Sequence, residues 1–305
     1  LVLTPGLKTG GRSPVRLLAG ATEHPCVLRG HRFEALDPVP VSRDGVIDLD
    51  ALSAAVRAAP EPVMLALQAA NNESGVLQPV RAAADIVHAA GGLVICDAVQ
   101  AAGRVPATLA DLGANALILS SHKLGGPKGA GALVFADPAA HIDPPLIRGG
   151  GQERGLRSGT EDVAAIAGFG AACAEAAAKG RREAEDCAIL RDAFEAGLRA
   201  LAPDAVVLGA DAPRLPNTSC FGLSGVTAST LLMGLDLGGI AVSSGSACSS
   251  GRIGRSPILD AMGVAPHIGS VVRVSFGWNS RPGDETVLLD ALERSLGRIR
   301  PVRAA

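Results

Sequence analysis

The chain has 305 residues, 48% of them hydrophobic and 19% charged, which is enough for a sizeable core and for two domains. Its formal net charge of -2 gives no electrostatic reason to bind nucleic acid or an anionic membrane. With no Tyr, one Trp and 2% aromatic residues overall, it also lacks surfaces on which nucleobases stack.

The distribution of cysteines and apolar residues indicates a reduced, cytoplasmic protein. No uninterrupted apolar run reaches the roughly 18 to 20 residues of a membrane helix, and the opening LVLTPGLKTGGR is too weakly apolar for a signal peptide. The six cysteines have no short repeated spacing, which argues against a zinc site and against a disulfide framework. We therefore expect no metal, no membrane association and a cytoplasmic location.

Four apolar segments in the first part of the chain predict buried strands, and a helix is predicted between the first two at 79–92. Near-continuous apolar runs are typical of strands covered on both faces, and their alternation with helical stretches indicates a mostly parallel α/β sheet. The segments are PVMLALQ (62–68), GLVICDA (92–98), NALILSS (115–121) and GALVFAD (131–137).

The second part of the chain has a different composition. Residues 161–202 are rich in alanine with interspersed Glu and Arg, and they predict one long helix or two. Beyond Pro203, short apolar segments alternate with helical stretches, which indicates an α+β region. We therefore expect a large α/β domain at 1–178 and a small α+β domain at 179–305.

Polar side chains stand at or just beyond the carboxyl ends of three predicted strands. In open α/β sheets this edge is where ligands bind, so the three clusters together predict a ligand site. The residues are Asn71, Asn72 and Glu73 with the first strand, Asp97 and Gln100 with the second, and Ser120, His122 and Lys123 with the third.

These polar residues leave two interpretations of Asp97 and Lys123 open. A carboxylate inside an apolar run needs a partner to stay ionised, and a plain salt bridge between strand ends would provide one. The other interpretation is a pyridoxal phosphate site, where a lysine forms a Schiff base and an acid pairs with the pyridine nitrogen. Ser120 and His122 suit its phosphate, whereas no G-x-G-x-x-G or P-loop pattern supports a nucleotide site.

Seven segments, in order along nearly the whole chain, resemble the cysteine desulfurases of the NifS/IscS-like group, which are class-V pyridoxal-phosphate enzymes of fold type I. The segments are TEHPCVL (22–28), NNESGVLQPV (71–80), DAVQAAGRVP (97–106), SSHKLGGPKGAGAL (120–133), GGGQERGLRSGTEDV (149–163), SSGSACSSG (243–251) and VRVSFG (272–277). The resemblance implies a fold-type I large domain with a mostly parallel sheet, a small domain that carries Cys248, and pyridoxal 5'-phosphate as cofactor.

The resemblance implies five cofactor contacts from the large domain. Lys123 would form the Schiff base, Asp97 would keep the pyridine nitrogen protonated, and Gln100 would hydrogen-bond the phenolic oxygen of the ring. Ser120 and His122 would bind the phosphate.

Four further residues receive roles from the same resemblance. His24 would stack on the ring and move protons, although the TEHP context alone indicates a surface histidine near a helix start. Asn72 would touch the cofactor or the substrate carboxylate. Arg273 would clamp that carboxylate with its two-pronged guanidinium, while the residues alone equally allow an exposed strand arginine. Thr160 would reach the cofactor phosphate of a neighbouring subunit, which implies a homodimer.

Cys248, in SSGSACSSG, is the nucleophile that the resemblance implies. As a thiolate it would attack the sulfur of L-cysteine and form a persulfide, with L-alanine as the other product. A sulfur-acceptor protein would then take the sulfur, and the Ser/Gly-rich segment is expected to give Cys248 the necessary reach. The other five cysteines are expected to be structural, with Cys26 assigned to packing.

The family pattern also includes a leading segment with a Gly-Ala-Thr loop at a helix N-terminus, which grips the cofactor phosphate. This chain has GATE at 20–23, but its position directly before His24 assigns it to the TEHP segment instead. We therefore expect weakened or absent cofactor binding. Two alternatives to a cysteine desulfurase stay open: a selenocysteine lyase or other class-V enzyme, and an inactive truncated copy that acts by binding a partner.

Overall fold

A computed structural model describes residues 1–244, 256–265, 268 and 271–299 of the chain. The chain packs into two compact units. The first consists of Leu1–Ser42, Val46–Asn71 and Leu77–Gly180, and the second of Arg43–Gly45, Asn72–Val76 and the chain from Arg181 onward. These units reflect packing alone, so the domains at 1–178 and 179–305 stay a prediction.

The first unit combines β-strands with flanking helices. Its strands are β1 (Leu7–Lys8), β2 (Arg16–Gly20), β3 (Leu36–Val39), β4 (Val63–Gln68), β5 (Leu93–Asp97), β6 (Ala116–Ser120), β7 (Gly131–Phe135) and β8 (His141–Ile142). Its helices are α1 (Pro25–Leu28), α2 (Leu49–Ala58), α3 (Val80–Ala89), α4 (Leu109–Leu112) and the first part of α5 (Val163–Leu201), with single 3-10 turns at Ser121–Lys123 and Gln152–Gly155.

Six of these strands form one sheet in the order β3-β2-β4-β5-β6-β7. Every neighbouring pair is parallel except β6 and β7, which are antiparallel, so the prediction of a mostly parallel sheet is confirmed. The outer side of β7 pairs with no strand in the part of the chain that the structure describes. β1 and β8 form a separate antiparallel pair.

Burial explains the continuous apolar runs of the central strands. All six residues of β4 are buried, and α3 packs against β4 and β5 with Ala84 and Val87 on its buried face. Leu17, Met64 and Ile95, from three neighbouring strands, belong to one core cluster. A strand covered in this way cannot alternate polar and apolar residues, because both of its faces lie away from water.

The second unit is an antiparallel sheet with helices, in agreement with the α+β region predicted beyond Pro203. Its strands are β9 (Val206–Val207), β10 (Thr218–Gly222), β11 (Ser243–Ser244) and β12 (Val272–Ser275), in the order β11-β12-β10-β9. The rest of α5 is followed by α6 (Ala228–Leu237), α7 (Pro257–Ala261) and α8 (Asp284–Ile299). Its core includes Phe221 from β10, Leu235 from α6 and Leu292 from α8.

Phe221 should be a principal contributor to the stability of the second unit. It is fully buried, and its ring centroid lies 5.9 Å from that of Phe194 on α5. Phe221→Ala should therefore lower the free energy of unfolding by about 3–5 kcal/mol, because it removes a large apolar side chain and leaves a cavity. Leu237→Ala at an exposed position should change it by less than about 0.5 kcal/mol. Urea denaturation followed by circular dichroism compares the two variants, and equal losses would contradict the assignment.

α5 is a single helix of 39 residues, which decides between the one long helix and the two that the sequence allowed. Among the described residues it is also the helix that is long and apolar enough to cross a membrane, with an 18-residue window of mean hydropathy 1.2. No such segment was expected from the sequence, because that expectation rested on an uninterrupted apolar run. One helix of this kind is weak evidence for a membrane span, since core helices of soluble proteins meet the same criteria.

Candidate active site

The carboxyl ends of β4, β5 and β6 lie side by side at one edge of the sheet. Gln68, the last residue of β4, is in register with Asp97, the last residue of β5. Asp97 is in register with Ile118, shortly before β6 ends at Ser120. The backbone N–H of Ala69 donates to the Asp97 carbonyl at 2.8 Å, which continues the alignment beyond β4. The sheet therefore brings Asp97 and Ser120 to the same edge, where ligands of open α/β sheets bind.

Asp97 carries a half-buried carboxylate that has no cationic partner within ion-pair distance among the described residues. Its Oδ1 accepts a hydrogen bond from Val99 N–H at 2.9 Å. Burial raises the pKa of Asp97, while the bond from Val99 and the nearby His24 lower it. The plain salt bridge with Lys123 is thus not present, and the carboxylate fits a cationic N–H group such as a protonated pyridine nitrogen.

A tight turn after β6 presents Ser120, His122 and Lys123 close together. Ser120 Oγ and His122 Nδ1 are hydrogen-bonded at 2.9 Å. Between them Ser121 is completely buried, and its Oγ has no hydrogen-bond partner in the described part of the chain. Gly125 has a φ of 87°, a left-handed conformation that side chains rarely adopt. Hydroxyl and imidazole groups are suitable donors for a phosphate, so this turn fits that part of the cofactor.

Arg104 links two of the predicted cofactor residues through their backbones. Its Nη1 donates to the Gln100 carbonyl at 2.9 Å, and its Nη2 donates to the Lys123 carbonyl at 3.0 Å. Gln100 and Lys123 are therefore fixed relative to each other by one planar guanidinium. Arg104 lies in the DAVQAAGRVP segment, but no role was predicted for it, because a side chain that bonds a carbonyl 19 residues away has no sequence signature.

His24 occupies the N-cap position of α1, and its Nδ1 accepts a hydrogen bond from Cys26 N–H at 3.2 Å. In the neutral ring this bond assigns the proton to Nε2, which is the nitrogen left for other contacts. His24 is half-buried and not a fully exposed surface histidine. Cys26 is exposed, so its assignment to packing is wrong; the second residue of a four-residue helix need not face the core.

The segment before His24 is held by side chains from the end of β4. Gln68 Nε2 donates to the Thr22 carbonyl at 2.9 Å, and Asn71 Nδ2 donates to the same oxygen at 3.0 Å. Glu23 accepts a hydrogen bond from the backbone N–H of Gln68 at 2.6 Å. No role was predicted for Thr22, Glu23 or Gln68, although the positions of Thr22 and Glu23 within TEHP and of Gln68 at a strand end were the available signal.

Arg273 and Asn72 are joined within the second unit. Arg273 Nη1 donates to the Asn72 carbonyl at 2.6 Å, and Arg273 is half-buried on β12 and not an exposed strand arginine. In the ladder Arg273 lies opposite Ser243, the first residue of SSGSACSSG. Next to Asn72, the buried Glu73 accepts a hydrogen bond from Ser256 Oγ at 2.8 Å. Burial raises the pKa of Glu73, and the Ser256 bond and the Arg273 charge lower it.

Two predicted residues remain apart from this geometry. Thr160 is exposed, in a loop where the Ser158 hydroxyl donates to the Gly150 carbonyl at 2.8 Å. In the same loop Glu153 and Arg154 have φ values of 49° and 56°, in the left-handed region that costs energy for residues other than glycine. Cys248 lies outside the described residues, so its role as nucleophile stays a prediction.

The described sheet has the fold of the pyridoxal-phosphate-dependent transferases of fold type I. The chain belongs to the class-V aminotransferase family, whose family model matches residues 20–284. Within that family its curated relatives are cysteine desulfurases: it is 44% identical to the one of Cereibacter sphaeroides over 226 residues, which cover 74% of this chain and 57% of that protein. It is 34% identical to cysteine desulfurase IscS of Dictyoglomus turgidum, covering 97% of this chain and 75% of that one.

Solved structures lead to the same fold. A NifS-like protein from Rickettsia africae superimposes with a TM-score of 0.84 at 30% identity, over 92% of this chain and 75% of that chain. A second NifS-like protein gives a TM-score of 0.81 at 31% identity, over 93% and 76%. The predicted fold type and family are therefore confirmed, and this chain spans between about half and three quarters of the relatives that it matches.

Proposed function

We propose that the chain carries the active site of a pyridoxal-phosphate-dependent cysteine desulfurase, which takes L-cysteine, releases L-alanine and transfers the sulfur to Cys248. The observation that carries this proposal is Asp97, a half-buried carboxylate at the ligand edge of the sheet that no described cation pairs. A protein seldom keeps such a group unless a bound partner compensates its charge.

The residues that would hold the cofactor are Lys123, Asp97, Gln100, Ser120 and His122. When bound, pyridoxal phosphate supplies an electron sink that stabilises negative charge at the substrate α carbon. Asp97 holds the proton of the ring nitrogen, and Arg104 keeps the backbones of Gln100 and Lys123 together. The Lys123 amine would take the proton from the substrate α carbon.

Substrate orientation and sulfur transfer fall to other residues. Arg273 and Asn72 bind the substrate carboxylate, and His24 moves a proton through Nε2. The Cys248 thiolate attacks the sulfur of L-cysteine, so an S–S bond forms and the C–S bond breaks, with its electron pair left on carbon. The β carbon takes up one proton, the α carbon regains the proton that Lys123 removed, and the product leaves as L-alanine. The persulfide on Cys248 passes its outer sulfur to a sulfur-acceptor protein.

The assembly and location of the enzyme belong to the same proposal. Thr160 reaches the cofactor phosphate of a second copy, which makes the enzyme a homodimer with shared sites, and it acts in the cytoplasm. The exposure of Thr160 and the left-handed backbone at Glu153 and Arg154 support this assignment, because strained loops concentrate at functional sites.

Cys248→Ser tests the sulfur-transfer step. We expect the variant to lose sulfide release from L-cysteine, because a serine hydroxyl is not ionised at neutral pH and forms no persulfide. Cys173→Ser, a half-buried control on α5, should keep the activity. Alanine and sulfide are measured with added pyridoxal phosphate. If Cys248→Ser still releases selenide from selenocysteine at the wild-type rate, the alternative of a selenocysteine lyase is correct.

The cofactor itself distinguishes the remaining alternative. An inactive copy that only binds a partner would show no visible absorbance of cofactor attached to Lys123 and no alanine formation at any pyridoxal phosphate concentration. Weak but saturable binding of pyridoxal phosphate, with alanine formed at saturation, supports the proposed function. It also supports the expectation that this chain binds the cofactor phosphate weakly. Strong stoichiometric binding would contradict that expected loss.

A further inference from the structure

Glu23 is a buried carboxyl group in the segment between β2 and α1, with 3% of its surface exposed. Its Oε1 accepts a hydrogen bond from the backbone N–H of Gln68 at 2.6 Å. The reason lies in the sheet: β2 pairs with β4 as far as Ala19 and Ala66, and β2 ends at Gly20. The Gln68 N–H therefore has no strand acceptor on that side, and the Glu23 side chain replaces the missing carbonyl.

The second carboxyl oxygen of Glu23 has a different environment. Oε2 is buried and has no hydrogen-bond partner among the described residues. The Glu23 carboxyl interacts electrostatically with Asp97 and Cys96 on β5 and is hydrogen-bonded by Gln68 on β4. No described cation forms an ion pair with it. Burial raises the pKa of Glu23 well above its ordinary value, and Asp97 raises it further, against the bond from Gln68.

Asp97 differs from Glu23 in what stabilises its charge. It accepts the Val99 N–H, and His24 lowers its pKa, whereas the free oxygen of Glu23 has neither kind of support. Two carboxyl groups in one buried place do not both ionise readily, because each charge raises the pKa of the other group. Cys96 adds no charge, since burial raises the pKa of its thiol well above the ordinary value.

We propose that Glu23 is a positioning residue that stays a neutral carboxylic acid, so that Asp97 is the member of the pair that carries the negative charge. Its neutral carboxyl closes the end of β4 and fixes the segment that leads into His24, together with the bonds from Gln68 and Asn71 to Thr22. The proposal rests on the proposed function for its purpose, because a single charge at Asp97 is what a protonated ring nitrogen requires.

Infrared spectroscopy tests the protonation state directly in the cofactor-free chain. At pH 7 we expect a C=O stretching band of a protonated carboxylic acid that disappears in Glu23→Gln and persists in Asp97→Asn. Glu73→Gln is the matched control, because Glu73 is also buried with a raised pKa but lies in the second unit, and the Glu23 band should survive that change. A wild-type spectrum in which Glu23→Gln removes no such band, or Asp97→Asn removes it, overturns the proposal.

Thermal unfolding provides an independent readout. The pKa of Glu23 is higher in the folded chain than in the unfolded chain. The free energy of unfolding therefore decreases as the pH rises from the unfolded-state pKa towards the folded-state pKa. Glu23→Gln keeps the acceptor for Gln68 and removes that cost, so its Tm should gain on the wild type as the pH rises. Glu23→Ala loses the acceptor and should have a lower Tm at every pH. If the Tm of Glu23→Gln is as low as the Tm of Glu23→Ala at every pH, the proposal is wrong.

Both readouts are separate from the proposed function, because neither uses cofactor or turnover. If Glu23→Gln does not fold, the comparison of wild type with Asp97→Asn still decides: survival of the band supports the proposal, and its loss overturns it. Absence of alanine formation with the band assigned to Glu23 would refute the desulfurase and leave the protonation of Glu23 standing.

Discussion

Lys123→Ala should lower the rate of alanine formation from L-cysteine by roughly 10³-fold or more at saturating pyridoxal phosphate. The variant loses both the amine proposed to attach the cofactor and the base proposed to take the α proton. The loss should appear in kcat, since the variant still has the groups proposed to bind phosphate and the substrate carboxylate.

The same turn offers a matched control for Lys123. Lys128 is exposed and five residues further along the SSHKLGGPKGAGAL segment, and it forms no ion pair among the described residues. Lys128→Ala should therefore keep the activity within about twofold. A Lys123→Ala variant that retains activity within tenfold of Lys128→Ala would exclude Lys123 as the attachment residue.

Asp97→Asn should lower kcat/KM by about 10²- to 10³-fold and at the same time stabilise the cofactor-free chain. An amide cannot hold the proton of the ring nitrogen by charge, which explains the loss of activity. The pKa of Asp97 is raised in the folded state. Ionisation of Asp97 therefore lowers the free energy of unfolding as the pH rises from the unfolded-state pKa through the folded-state pKa. Asparagine removes that cost, so the gain in Tm should grow over this pH range.

Opposite signs for activity and stability distinguish a functional charge from a structural one. Asp85 on α3 provides the control, because its carboxylate is exposed and only forms a surface pair with Arg81. Asp85→Asn should change stability by less than about 0.5 kcal/mol and leave the activity unaltered. If Asp97→Asn lowered the Tm at neutral pH, the carboxylate would be a stabilising group and the argument for an unpaired charge would fail.

The central sheet could be predicted because burial on both faces forces apolar runs, as in β4 and β5. β2 and β3 were not singled out: β2 has an apolar run of only Leu17, Leu18 and Ala19, and β3 contains Asp37 and Pro38, which are uncommon in strands. The antiparallel direction of β7 was also missed, although the short link from Ser120 to Gly131 is too brief for the helical crossover of a parallel pair.

The candidate site divides in the same way. Asp97 and Lys123 follow from strand ends and motif order, because a charged residue beside an apolar run is visible in one dimension. Arg104 and Gln68 act on backbone atoms far away in sequence, and no local pattern marks a side chain that bonds a distant carbonyl. Glu23 was quoted within TEHP, yet its burial and its unpaired oxygen depend on where β2 ends.

On its outer side β7 pairs with no strand among the residues that the structure describes, which bears on the behaviour of the chain in solution. Edge strands present unpaired N–H and C=O groups, and natural proteins protect them with charges, proline, bulges or covering elements. The five residues of β7, GALVF, contain none of these protective residues, and Val134 is 38% exposed. Such an edge is a template for intermolecular strand pairing, so the protein used at high concentration should aggregate through β7 before the rest of the sheet unfolds.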